Sequence, residues 1–134
     1  MTNEEHKTEI EILEIYATCW NTLNSNKLIS LLDEQVEYNS QWVIESLKGK
    51  QSFLNYFNGK LQTLRNARNK TKVSAELKMS QKWTSHLLKP CLLITQRNNN
   101  GDQNQVTLFI EVQDGKITRI DLCDVDFMFF DYKY

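Results

Sequence analysis

The sequence predicts an α+β domain in which helices come first and a long antiparallel sheet follows. Two observations carry this expectation. Apolar residues recur at helical spacing through much of the first half, and from about Lys70 onward their period falls to two. Tight turn signals separate the later segments, as a meander of antiparallel strands requires.

Each element follows from local chemistry. Thr2 and Glu5 fit a capping box at the start of the first helix. Ile12, Tyr16, Cys19 and Leu23 interleave with Ile10, Leu13, Ala17 and Trp20 to give one broad apolar stripe. Asn24-Ser25-Asn26 breaks that helix and can cap a second, in which Leu28, Leu31 and Leu32 recur. Val36–Ser40 and Gln41–Ile44 read as two short strands. Gly49 then opens a third helix, with Phe53, Phe57, Leu61 and Leu64 on one face. Val73, Ala75, Leu77 and Met79 alternate with polar residues, as a half-buried strand does. Cys91–Gln96 is an apolar strand after Pro90, and Asn98–Asp102 is a turn. Val106, Leu108, Ile110 and Val112 alternate again, Asp114-Gly115 is a hairpin signal, and Ile117–Cys123 completes the meander. Residues 1–134 therefore read as a single domain, with 125–134 an aromatic tail too apolar to leave in solvent.

Composition limits the function classes. A chain of 134 residues buries roughly two-thirds of its unfolded surface and needs no disulfide or metal to fold. Its 16 basic and 17 acidic side chains argue against broad nucleic-acid binding. One local basic cluster, Lys60, Arg65, Arg68, Lys70 and Lys72, reads as a solvated helix end opposing the helix dipole. Cys19, Cys91 and Cys123 are dispersed, odd in number and without CxxC spacing, which fits buried thiols in a reducing compartment. The segment MTNEEHKTEIE has no apolar run of the secretory type, and no stretch approaches the length needed to span a bilayer. A cytoplasmic location without membrane contact is expected. His6 and His86 have no metal-ligand spacing, and no phosphate-binding glycine loop occurs, so no metal and no cofactor is expected.

The succession Trp20-Asn21-Thr22-Leu23-Asn24, Leu31-Leu32, Tyr38, Leu47-Lys48-Gly49 and Tyr56-Phe57 resembles the nuclear transport factor two-like superfamily. So does the run Ile110-Glu111-Val112-Gln113-Asp114-Gly115-Lys116-Ile117-Thr118-Arg119-Ile120. The SnoaL-like and ketosteroid-isomerase-like branches look most similar. The resemblance implies a cone-shaped, cystatin-like fold: three helices on the N-terminal side packed on a strongly curved, mostly antiparallel sheet. It also implies a homodimer in many members and leaves function open, because one fold serves many tasks.

The resemblance can be carried over residue by residue. The isomerase branch's oxyanion-donating tyrosine falls on Tyr16. Its aspartate base falls on Ser40, and its second acid falls on Leu108. Serine without a base moves no proton near neutral pH, and leucine donates nothing, so steroid isomerisation is set aside. Polyketide-cyclase-like members place an acid or base on the last strand. There Ile120, Leu122 and Asp124 share the face that the resemblance turns toward the pocket. Among apolar walls, the Asp124 carboxylate would have its pKa raised and serve as a general acid or base; at a strand end it would simply be solvated. Trp20, Tyr38, Trp42, Tyr56 and Phe57 either line a ligand pocket or fill the core.

Three functional expectations result. The first is a domain binding a small apolar or aromatic molecule, with no assured catalysis, its wall formed by Trp20, Tyr38, Ser40, Trp42, Tyr56, Phe57, Leu108, Ile120 and Leu122. The second is a lyase, isomerase or cyclase acting on a hydrophobic carbonyl compound through Asp124 and Tyr16. The third is a protein-interaction or toxin-neutralising module that docks through the aromatic tail.

Overall fold

A computed structural model describes residues 3–41, 45–81, 88–124 and 128–131. The element order is helix α1 (Asn3–Thr22), a 3-10 turn (Ile29–Leu31), strands β1 (Leu32–Ser40) and β2 (Leu47–Lys48), helix α2 (Lys50–Asn66), and strands β3 (Thr71–Gln81), β4 (Leu88–Asn98), β5 (Gln103–Gln113), β6 (Lys116–Cys123) and β7 (Met128–Asp131). All strands form one sheet in the order β2-β1-β6-β5-β4-β3-β7. Every pairing is antiparallel except β1 with β6, which run parallel. The α+β architecture expected from the sequence is present.

Two α-helices occur among the described residues, where three were expected. The expected second helix is a single 3-10 turn, because Leu32 already belongs to β1 and pairs with Ile117. With the chain committed to the sheet from Leu32, only one turn fits after Ser25. The hydroxyl of Ser25 donates to Asn58 Oδ1 at 2.5 Å and fastens this turn to α2. The expected strand at Gln41–Ile44 falls mostly outside the described residues, as does Thr2 of the proposed capping box. The short strand beside β1 is instead Leu47–Lys48.

Helix α1 ends in a Schellman motif: Leu23 N–H bonds to Trp20 C=O, and Asn24 N–H bonds to Cys19 C=O. Leu23 occupies the left-handed position with φ 56°, one that usually falls to glycine. Arg65 of α2 donates to the Leu23 carbonyl and ties the two helix ends together. Gly49 caps α2 with φ 97°, a conformation open to it because it has no Cβ.

Period-two alternation assigns the two faces of the sheet. Ala75, Ile94, Leu108, Ile110, Ile120 and Tyr38 face the helices and are buried. They join Leu13, Tyr16, Phe53, Phe57 and Leu61 from the helices in one continuous core. Pro90 interrupts no β4–β5 ladder bond, because that pairing runs only over Leu92–Arg97. In the β5–β6 hairpin, Asp114 (φ 53°) and Gly115 (φ 76°) both take positive φ, as the favoured two-residue turn demands. Residues Met128–Asp131 of the tail pair with Lys78–Gln81 of β3.

Candidate functional site

A cavity of about 560 Å³ lies between the helix-facing side of the sheet and the two helices. Helix α1 contributes Tyr16 and Trp20 to its wall, one turn apart on the same stripe. Helix α2 contributes Phe53, Tyr56, Phe57 and Lys60 at the same helical spacing. The sheet supplies Tyr38 and Ser40 from β1, Val73 from β3, Ile94 and Gln96 from β4, Val106 and Leu108 from β5, and Leu122 from β6. Asn104 and Gln105 of β5, together with Asp124 just beyond β6, complete it.

The cavity is graded from a dry floor to a wet mouth. Tyr16, Trp20, Phe53, Phe57 and Leu108 are buried, whereas Lys60, Asn104 and Asp124 are exposed. Its floor is an aromatic nest centred on Phe57. Tyr16 and Trp20 meet Phe57 edge-on, with ring centroids 5.5 and 5.1 Å away, and Phe53 stacks on it at 5.6 Å. Tyr38 lies 5.5 Å from Phe53 and 5.1 Å from Tyr56. Such contacts fix the rings through their quadrupoles as well as their buried area.

Polar groups gather toward the mouth, where Lys60, Asn104 and Asp124 are exposed. The Tyr38 hydroxyl donates to the Tyr56 hydroxyl at 3.4 Å. Tyr38 is 5% exposed and Tyr56 43%, so the pair runs from wall to mouth. Burial pushes both Tyr16 and Tyr38 well above the ordinary phenol value. The neighbouring Tyr38 adds to the shift at Tyr16, and the hydrogen bond to Tyr56 adds to that at Tyr38. Both are neutral phenols near neutral pH, able to donate a hydrogen bond and unable to act as bases. The Trp20 indole N–H is shut off from solvent and has no hydrogen-bond partner.

Tyr16, Trp20, Tyr38, Ser40, Tyr56, Phe57, Leu108, Leu122 and Asp124, all expected from the sequence, stand on this one wall. Ile120 does not. It shares a face with Leu122 but sits deeper, sealed in the core against Tyr38 and Ile110, its neighbours in register on β1 and β5. Of the two settings the sequence left open for Asp124, apolar wall or solvated strand end, the structure has the second. Asp124 is exposed at the mouth, where the strand has ended and its backbone N–H donates to Gln41 Oε1. Trp42 lies outside the described residues, as does His86.

Sequence reasoning missed Phe53, Lys60, Val73, Ile94, Gln96, Asn104, Gln105 and Val106. Two signals could have found several of them. Phe53 and Lys60 lie three or four residues from Tyr56 and Phe57 on one helix face, and Val106 lies two residues from Leu108 on one strand face. Among the described residues, no group of three or more His, Cys, Asp or Glu side chains could hold a metal ion. No helix among them is long and apolar enough to cross a membrane.

Solved structures reproduce this fold over nearly the whole chain. A protein of unknown function from Mesorhizobium loti, described as NTF2-like, superposes with a TM-score of 0.68 over 92% of this chain and 95% of its own, at 12% identity. The chain has the NTF2-like fold. A provisionally named ketosteroid isomerase from Kribbella flavida superposes at 0.63, covering 97% of this chain and 84% of its own, at 14% identity. A provisionally named polyketide cyclase from Xanthomonas campestris superposes at 0.60, covering 88% and 90%, at 12% identity. No family model matches the sequence, and no curated protein does. The NTF2-like likeness therefore concerns backbone architecture, and what this site does has to be argued from its own side chains.

Proposed function

We propose that this chain binds a small, flat, largely apolar molecule carrying at least one oxygen or nitrogen acceptor. The observation that carries the reading is the cavity itself. About 560 Å³ is within the range that suits small organic ligands, and an aromatic and aliphatic floor gives way to hydroxyls, amides and two charged side chains nearer the mouth. Phe53, Phe57 and Trp20 offer ring faces and edges to a flat body. The Tyr38–Tyr56 hydroxyl pair, with Ser40, offers hydrogen bonds to its polar end. Binding without chemistry is favoured over catalysis, because Asp124, the one carboxylate on the wall among the described residues, is exposed and the two buried phenols hold their protons. The named isomerases and cyclases of the same fold support a ligand-sized hollow and nothing finer.

The test is binding of N-phenyl-1-naphthylamine, a neutral fluorescent aromatic probe, to the purified chain. Saturable fluorescence enhancement is expected, together with a rise in thermal midpoint that grows with probe concentration. Val106→Trp, which fills the mouth side of the hollow, should abolish both while leaving the circular dichroism spectrum unchanged. Undiminished binding to that variant would remove the cavity from the account. The homodimer implied by the family resemblance belongs to the same proposal, and native mass spectrometry of the purified protein counts its subunits and detects any retained ligand.

A further inference from the structure

We infer that the ligand of this cavity is an organic anion, its acidic group resting at Lys60 and its apolar body on the aromatic floor. The inference rests on the cavity reading above and adds the charge of the occupant.

Lys60 is the one cation on the cavity wall among the described residues, and no carboxylate among them pairs with it. It lies one helical turn beyond Tyr56, on the path that α2 takes from β1 toward β3. The segment of chain that carries it is basic. From Ser46 to Ala75 the chain carries lysines and arginines but no Asp or Glu. Arg68 and Lys72 line an adjoining polar groove that shares Val73 with the cavity as a common wall. The acid of the mouth, Asp124, follows β6, two strands away from β4 and three from β3 in the sheet order. The mouth is therefore polarised, positive on the α2–β3 side and negative at the end of β6. A neutral ligand has no net charge for Lys60 to attract. An anion entering with its acidic group toward α2 meets an ammonium at the rim and keeps its charge hydrated while its body is desolvated.

The sulfonate 8-anilinonaphthalene-1-sulfonate and the neutral N-phenyl-1-naphthylamine share one aromatic body and differ in charge, so the pair isolates the acidic group. The sulfonate is expected to bind more tightly. Lys60→Gln should weaken it by about two- to fivefold, the size set by an exposed, solvent-screened charge pair, and leave the neutral probe unchanged. Lys60→Arg should retain the preference, Lys60→Glu should reverse it, and added salt should weaken only the sulfonate. Equal affinities of the two probes, both lost in Val106→Trp and both indifferent to Lys60→Gln, would overturn the anion assignment while leaving the cavity reading intact. Failure of both probes to bind, or binding that Val106→Trp does not diminish, would sink the cavity reading and this inference with it. Lys60 is exposed on a helix surface, so its variants should fold, and a circular dichroism melt of each checks this.

Discussion

The side-chain amide of Asn21 pairs with the backbone of Ala75 through two hydrogen bonds, donating to its carbonyl at 3.1 Å and accepting from its N–H at 2.8 Å. One amide thus reproduces the ladder contact of a missing strand. It does so at a point on the outer edge of β3 beyond Lys78–Gln81, the stretch that pairs with β7 among the described residues. Exposed strand edges invite pairing with other chains, and here a helix residue occupies the position.

Replacing Asn21 by Ala should cost about 1–2 kcal/mol, since it leaves two backbone groups without their partner. Asn21→Asp should cost less than Ala only if the carboxylate keeps the N–H bond, and it cannot serve the carbonyl. Urea denaturation measures the loss, and hydrogen exchange at the Ala75 amide reports it locally. Unchanged protection of that amide in Asn21→Ala would contradict the latch.

Alkaline pH should unfold the chain through its buried phenols. Tyr16 and Tyr38 have folded pKa values raised above their ordinary value of 10.0, so the folded state holds protons that the unfolded state releases. Their contribution to stability is complete below about pH 10 and falls as pH rises from there toward the folded values. Absorbance at the tyrosinate band should show these two residues ionising together with the loss of structure. Tyr16→Phe should flatten the decline above pH 10.

Thiol reactivity should separate the cysteines. Cys91 is sealed in the sheet, and burial pushes its thiol up to about 11, against the lowering influence of Ser80 and Lys78. Cys19 is buried at the end of α1 and is raised for the same reason. Cys123 is half-buried at the end of β6. An aromatic disulfide reagent at pH 8 should label Cys123 quickly in the native protein and the other two only at the rate of unfolding. Rapid labelling of all three would mean that the sheet opens far more readily than its packing implies.

Two glycines should respond with opposite sign. Gly59 lies within α2, and an added Cβ there meets no atom within 4 Å, so Gly59→Ala should stabilise by roughly 0.5–1 kcal/mol. Gly115 holds φ 76° in the β5–β6 turn, so Gly115→Ala should destabilise by about 1 kcal/mol or more. Thermal midpoints of the two variants give the comparison directly.

Much of the fold was legible because its pattern is local. The stripe of α1, the face of α2 and the alternation in β3, β5 and β6 are each written within one segment. The 3-10 turn at Ile29–Leu31 was misread because Leu28, Leu31 and Leu32 match helical spacing as well as they match a turn entering a strand. The parallel pairing of β1 with β6 joins segments far apart in the chain, and no local pattern encodes it. At the site, residue type pointed to the aromatics, the family resemblance to Tyr16, Ser40 and Leu108, and resemblance together with strand face to Leu122. Depth was not encoded: Ile120 and Asp124 flank Leu122 on the same face, yet one is sealed in the core and the other stands in water.

The union of β1 with β6 also has a kinetic side. Leu32 finds its partner at Ile117, and Ser40 finds Leu122. During synthesis, the β6-facing edge of β1 must wait until the chain has been made through Cys123. Closing so large a loop delays the reward for the entropy it consumes, and topologies of this kind fold slowly. A nascent chain stalled before Lys116 should therefore be a good chaperone client, with one edge of its first strand still open.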